Sequence, residues 1–175
     1  MRKIFLIAIC FFYVTSNAQV GYSAVNLQDS LKKLSITKDP NGQVDILMNI
    51  STNYAYYKGD SGMLFLKQAQ EVSTKNNLLD RLPLIYFYMS SCNSNTLGNY
   101  PAALYYALET LKAANQMDNK SPMKQTLTSF AYYSIGNSYS YLLNKKKSEE
   151  YLNKSFELFQ KIKNTYNQSS ILTSY

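Results

Sequence analysis

Residues 84–116 have the sequence LIYFYMSSCNSNTLGNYPAALYYALETLKAANQ, from which the fold is most readily inferred. Apolar side chains recur at helical spacing on both sides of Leu97-Gly98-Asn99-Tyr100, which has the composition of a tight turn. This pattern predicts two amphipathic helices joined by that turn. Similar units precede and follow it in the chain. We therefore expect a repeat protein built from helix pairs.

The composition favours an ordered, all-α fold. The chain has 175 residues, of which 46% are hydrophobic and 17% are charged, so it can bury a sizeable core. It contains only 6 glycines and 4 prolines, which is too few for the many turns of an all-β protein of this length. Helices with few interruptions are the structure that this composition favours.

The chain contains no histidine, and this excludes several classes of enzyme. Serine–histidine and cysteine–histidine nucleophile pairs, and zinc sites that need imidazole, all require that residue. The acidic residues are scattered singly apart from Glu149-Glu150, whose side chains diverge by about 100° on a helix and do not converge on a substrate. The sequence therefore predicts a protein that is not an enzyme and that holds no cofactor or metal.

The first 18 residues have the three parts of a secretory signal. Arg2-Lys3 is followed by an apolar run over residues 4–14, and small residues then lead to Ala18, just before Gln19. The apolar run is shorter than the roughly 20 residues that span a bilayer. We therefore expect residues 1–18 to be cleaved and the protein to be exported to the periplasm.

Two alternatives for this segment remain open. It could stay uncleaved as an anchor, or Cys10 could accept a lipid, although the bulky Ile9 stands where lipoprotein signals have a small residue. Cleavage after Ala18 would leave Cys92 as the only cysteine, so no internal disulfide could form. The simplest interpretation of Cys92 is then a small buried apolar residue.

The net charge after cleavage is mildly positive, with 16 basic and 11 acidic residues once Arg2 and Lys3 are removed. The basic residues are dispersed, and Lys145-Lys146-Lys147 is followed at once by Glu149-Glu150. A nucleic-acid-binding protein would concentrate its positive charge on one surface. We therefore expect no nucleic-acid partner.

The remainder of the chain divides into a leader segment and three helix pairs. Residues 19–42 are expected to form a linker and a short helix, which ends in the turn predicted at Asn41-Gly42. The three units are predicted at 43–75, 80–115 and 121–163, with Asp60 as the cap of the second helix in the first unit and Ser148 as the start of the second helix in the third. Residues 164–175 are expected to form a linker and the start of a further repeat, so the chain could be an N-terminal fragment of a longer protein.

The three units share a register in their second helices. Gly62, Ala103 and Ser148 occupy equivalent positions, all small, where a bulky side chain would hold the paired helices apart. The intervals between them are 41 and 45 residues. The positions four and seven residues later continue the pattern, with Leu66, Ala107 and Leu152 followed by Ala69, Thr110 and Ser155. A repeat length in this range indicates an α-solenoid of antiparallel helix pairs.

Over residues 43–163 the sequence resembles the tetratricopeptide repeat (TPR) family, in particular the longer repeats of exported bacterial proteins, including sensory ones. The matching residues are Leu97-Gly98-Asn99-Tyr100 with Ala103, and Ile135-Gly136-Asn137-Ser138-Tyr139 with Ser148, Leu152, Ser155 and Phe156. The repeats are longer than the family's usual 34 residues, and Ile50 and Ser91 stand where a glycine is typical. HEAT-like geometry is the alternative for repeats of this length.

The resemblance implies a binding groove lined by the first helix of each pair. Carried onto this chain, the groove comprises Leu47, Ser51 and Tyr54, then Tyr88, Cys92 and Asn95, then Tyr133, Asn137 and Ser140, with Tyr141 beside them. Tyrosine combines apolar area with a hydroxyl, and asparagine can pair with an extended backbone, so a peptide would suit this set. Alternatively, the tyrosines pack between neighbouring repeats and the asparagines are solvated.

Two functions follow from this interpretation. The first is an exported scaffold that binds a peptide or protein segment in the groove. The second is the periplasmic sensory region of a membrane-spanning regulator. In either case we expect membrane contact only if an anchor lies beyond residue 175 or if the signal is uncleaved.

Overall fold

The computed structural model describes residues 24–55 and 58–172, so the predicted signal at 1–18 and the start of the linker lie outside the described residues. The described residues form seven α-helices and no strand, which confirms the all-α prediction. The helices are α1 (Ala24–Ile36), α2 (Pro40–Ala55), α3 (Gly59–Lys75), α4 (Leu82–Asn95), α5 (Tyr100–Gln116), α6 (Pro122–Tyr141) and α7 (Lys145–Leu172). Helix α1 belongs to one compact unit, and α2–α7 belong to another that begins at Thr37.

The second unit is an α-solenoid of helix pairs, as predicted. Its pairs are α2 with α3, α4 with α5 and α6 with α7, and each second helix also packs against the first helix of the next pair. In addition, α2 contacts α4 and α4 contacts α6, so the three first helices lie side by side. Each pair thus buries its apolar faces on its neighbours, which is how repeat proteins build a continuous core.

Small residues allow the paired helices to approach closely. Gly62, Ala103 and Ser148 are all buried at the predicted contact points. In the third pair, the Ser129 and Ser155 hydroxyls donate to each other's backbone carbonyls at 3.2 and 3.0 Å. These bonds satisfy polar groups that the tight packing buries and that would otherwise be destabilising. The predicted register of small residues therefore corresponds to real points of contact between helices.

The turns of the second and third pairs have the same construction. Asn99 caps α5 by accepting a hydrogen bond from the Ala102 backbone N–H at 3.2 Å. Asn144 accepts one from the Lys147 backbone N–H at the same distance. The residue before each asparagine has a positive φ, +64° at Gly98 and +59° at Leu143. Glycine adopts this conformation readily, whereas leucine is strained in it.

Replacing Leu143 with glycine is therefore expected to stabilise the protein by about 1 kcal/mol, because it relieves the left-handed strain. Urea unfolding followed by helical circular dichroism measures the change. Gly98→Ala is the matched control and should destabilise by about 1 kcal/mol, since nothing lies within 4 Å of a Cβ atom there and only the backbone conformation matters. A less stable Leu143→Gly variant would contradict the interpretation.

Three predicted boundaries at helix starts and turns are corrected by the structure. Asn41-Gly42 lies inside α2 rather than in a turn, because the Asp39 carboxylate caps that helix by accepting from the Gly42 backbone N–H at 2.9 Å. Asp60 is not a cap but lies in the first turn of α3, after Lys58. Helix α7 begins at Lys145 rather than at 148, since Asn144 caps it.

The structure also contradicts the linker that was predicted after residue 163. Helix α7 is continuous from Lys145 to Leu172. This stretch contains neither glycine nor proline, so its polar residues do not interrupt the helix. Any further repeat would have to begin after this helix.

Candidate functional site

Three of the predicted groove residues lie in the core. Leu47, Ser51 and Cys92 are only 2%, 1% and 2% exposed. The Ser51 hydroxyl donates to the Met48 carbonyl at 2.7 Å, and the Cys92 thiol approaches the Gly59 carbonyl at 3.4 Å. The prediction that these three side chains line a groove is thus corrected, because the face that carries them packs inward.

Cys92 lies in surroundings that disfavour its thiolate form. It is free and buried, and burial raises the pKa of its thiol, with a smaller contribution from the negative charge of Asp60. A thiol whose pKa is raised carries little thiolate, which is the nucleophilic and metal-binding form. The interpretation of Cys92 as a small buried apolar residue is confirmed.

An aromatic contact joins α4 to α6 beside the predicted tyrosines. The rings of Phe87 and Phe130 stack with centroids 5.0 Å apart, and the Tyr88 ring lies 5.6 Å from that of Phe87. Tyr133 follows Phe130 by three residues and is therefore on the same side of α6. Burial raises the pKa of Tyr133, with a smaller effect of Tyr141. Tyr88 and Tyr133 are thus each half-buried, on two helices that meet through the contact of Phe87 with Phe130.

The two predicted asparagines differ in their hydrogen bonding. The Asn95 amide donates to the Ser91 hydroxyl at 3.1 Å, and its carbonyl accepts from Ser94 at 3.1 Å. Asn137 is half-buried, yet its side chain makes no hydrogen bond within the part of the chain that the structure describes. A side-chain amide has two donor hydrogens and an acceptor oxygen. Asn137 therefore retains hydrogen-bonding capacity that the fold does not use.

The outer members of the predicted set make local contacts. Tyr54 stacks on Phe65 of the same helix pair with ring centroids 5.6 Å apart. Tyr141 stacks on Tyr100 of the preceding pair, at 4.2 Å and nearly parallel, although it remains exposed. Ser140 is exposed. Tyr141 therefore packs between repeats, as the alternative has it, and part of its side chain still meets solvent.

Six of the predicted residues are at least partly exposed on the adjacent helices α4 and α6, and together they define a surface. We call it the α4–α6 surface, and it comprises Tyr88, Asn95, Tyr133, Asn137, Ser140 and Tyr141. Since α4 and α6 are in contact, these side chains lie on neighbouring elements. None of the six is an aspartate, glutamate, lysine or arginine. The surface offers aromatic area together with amide and hydroxyl groups.

An ion pair at the start of α4 was missed by the sequence reasoning. The Arg81 guanidinium lies 3.1 Å from the Asp45 carboxylate, and its Nε donates to the Asn41 side-chain carbonyl at 3.3 Å. This contact joins α4 to α2 across 36 and 40 residues of sequence. The i, i+4 spacing of Asn41 and Asp45 was the only available signal, and it does not identify a distant partner.

The described residues contain no group of three or more cysteine, aspartate or glutamate side chains placed to hold a metal ion. Among residues 24–55 and 58–172, no helix combines the length and apolar character that crossing a bilayer requires. Comparison of the chain with protein-family models, with curated proteins and with solved structures gives no match. The α4–α6 surface is therefore interpreted from its own geometry.

Proposed function

We propose that this chain is an exported protein-interaction scaffold of the TPR type, which binds an extended, uncharged peptide segment on the α4–α6 surface. The observation that carries the proposal is Asn137, a half-buried amide without a hydrogen bond in the described structure. Periplasmic localisation rests on the signal-like residues 1–18. The TPR assignment rests on the repeated turn and the small-residue register.

Asn137 and the two half-buried tyrosines are suited to binding a peptide whose backbone is extended. A peptide in extended conformation presents N–H and C=O groups along its edge, and a side-chain amide can pair with both. Tyr88 and Tyr133 would supply apolar area for the side chains of the bound segment. Because no charged side chain belongs to the surface, an uncharged segment avoids leaving an unpaired charge at the interface.

The choice between charged and uncharged ligands can be tested by peptide selection. A displayed library of random peptides would be panned on the purified wild-type protein, and the selected sequences would be measured by fluorescence polarisation. We expect selection to enrich peptides that lack Asp, Glu, Lys and Arg at the central positions. Enrichment of strongly acidic or basic peptides would contradict the proposed ligand class.

Substitutions test the site itself. Asn137→Ala is expected to weaken binding of a selected peptide by roughly tenfold, since it removes hydrogen bonds to the backbone. Tyr88→Ala combined with Tyr133→Ala is expected to weaken it by about a hundredfold or more. Leu64→Ala, which changes an exposed leucine on α3, is the matched control and should bind as wild type does. Unchanged affinity in the double variant, with helical circular dichroism intact, would exclude the surface as the binding site.

A further inference from the structure

The turn between α6 and α7 exposes two leucines in a way that the fold does not need. Leu143 is 91% exposed and has a φ of +59°, while Leu142 beside it is also exposed. At the equivalent position of the preceding pair stands Gly98, with a φ of +64°. A glycine at 143 would remove both the backbone strain and the exposed apolar side chain. Leu143 therefore costs the fold backbone strain, and its exposed side chain gains no burial in return.

The residues that follow also oppose local stability. Lys145, Lys146 and Lys147 form the first turn of α7, which contains no acidic residue. The N-terminal end of a helix carries a partial positive charge and disfavours cations. Three adjacent lysines at this position also repel one another.

Neighbouring acidic groups only partly offset this charge. Lys145 lies 3.9 Å from Glu149, whereas Glu150 pairs with Lys154 at 2.6 Å. The Lys147 ammonium lies over the Tyr139 ring, 5.0 Å from its centroid. Lys146 is exposed and forms no ion pair within the described residues. Positive charge therefore remains directly beside the two exposed leucines.

We propose that residues 142–147, the leucine–lysine tip, dock on the surface of an anionic lipid bilayer, which is a membrane contact beyond the two cases expected from the sequence. Leu142 and Leu143 would enter the boundary between headgroups and acyl chains, while the lysines would meet lipid phosphates. Tyr141, stacked on Tyr100 at 4.2 Å, holds the base of the tip in place. The strain, the exposed apolar area and the unfavourable helix-end charge are all accounted for by this one partner.

The size and charge of the tip favour a bilayer over a protein. A stable protein interface buries about 800 Å² on each partner, whereas two leucines and a short lysine run form a small, projecting patch. A bilayer accepts such a patch because insertion and phosphate contacts add independently. The inference does not depend on the proposed peptide site, since no residue of the tip belongs to the α4–α6 surface.

A local fluorescent reporter tests the proposal in the full chain. The protein contains no tryptophan, so Leu143→Trp introduces a single one. A local probe is necessary because the apolar residues 4–14, if retained, would also be expected to bind lipid. We expect a blue-shifted emission and quenching by brominated lipid on vesicles of equal parts phosphatidylcholine and phosphatidylserine, and much less of both on phosphatidylcholine alone. Leu64→Trp, at another exposed leucine on α3, is the matched control and should show neither effect.

Variants of the tip separate the contribution of the exposed leucine from that of the lysines. In a Leu142→Trp chain, the further change Leu143→Gly should lower apparent vesicle affinity by about tenfold or more while raising resistance to urea. Lys146→Gln with Lys147→Gln should weaken binding by roughly tenfold and reduce its dependence on salt.

Several outcomes would overturn the proposal. Equal quenching at residues 143 and 64 would assign lipid binding to another part of the chain. Equal binding to vesicles with and without phosphatidylserine would show that the lysines do not recognise anionic lipid, which contradicts the proposal. A blue shift without lipid that grows with protein concentration would instead assign the tip to a second copy of the chain.

Discussion

Replacing Ile135 with alanine is expected to lower the free energy of unfolding by about 2–5 kcal/mol. Ile135 is fully buried on α6, which packs against α5 on one side and α7 on the other and also contacts α4. Removing its outer carbons leaves a cavity in the buried face of a helix that has three helical neighbours. Solenoid stability depends on such contacts between adjacent units, so the loss should affect the whole array.

Chemical unfolding in urea, followed by helical circular dichroism, measures this loss. The matched control is Leu108→Ala, at an exposed leucine on α5, which should change stability by less than about 1 kcal/mol. If both variants lost the same amount, Ile135 could not be part of a close-packed core. If only the third pair lost structure in Ile135→Ala, the coupling between units would be weaker than the packing indicates.

Gly136→Val should destabilise the protein by about 2–3 kcal/mol through overpacking. A Cβ atom at Gly136 would lie 2.8 Å from Cγ and 3.0 Å from the backbone nitrogen of Leu152. Helix propensity alone predicts the opposite sign, because valine is a better helix former than glycine by roughly half a kcal/mol. The sign of the measured change in the free energy of unfolding therefore decides which effect is larger, the close contact with Leu152 or the helix propensity of valine.

A double-mutant comparison tests the same contact. Leu152→Ala shortens the side chain that the new Cβ would meet, so adding it to Gly136→Val should recover part of the loss. Full recovery is not expected, since the backbone nitrogen of Leu152 remains close. Ser91→Val, at the equivalent half-buried position of the preceding pair, is the control and should cost less than about 1 kcal/mol. A stabilised Gly136→Val protein would contradict the predicted contact.

Much of the fold could be predicted because its signals are local. The turn at Gly98-Asn99 follows from glycine's tolerance of a positive φ and from the asparagine cap, both of which act within a few residues. The small residues Ala103 and Ser148 predict that another helix approaches closely, even when that helix is not identified. The predicted boundaries were wrong where two local signals competed. At Asn41-Gly42 the pair of residues favours a turn, but the Asp39 carboxylate caps a helix that includes both of them.

The candidate site was predicted less completely than the fold. Helical spacing places Leu47, Ser51 and Tyr54 on one face of α2, but it does not tell which way that face points. In the structure Leu47 and Ser51 are in the core, whereas Asn41 and Asp45 face Arg81 of the next pair. The groove taken from the family resemblance therefore included residues that the fold uses for packing.

By itself, the sequence determined that this protein is all-α, that its helices form pairs, and that small residues mark the points of closest approach. These properties depend on capping, glycine conformation and side-chain volume, each of which acts over a few residues. Only the tertiary structure decided which face of each first helix is buried, because the rotation of a helix about its axis is set by all of its neighbours together. It therefore also decided that Asn137 is left without a hydrogen bond among the described residues and that Leu143 meets solvent.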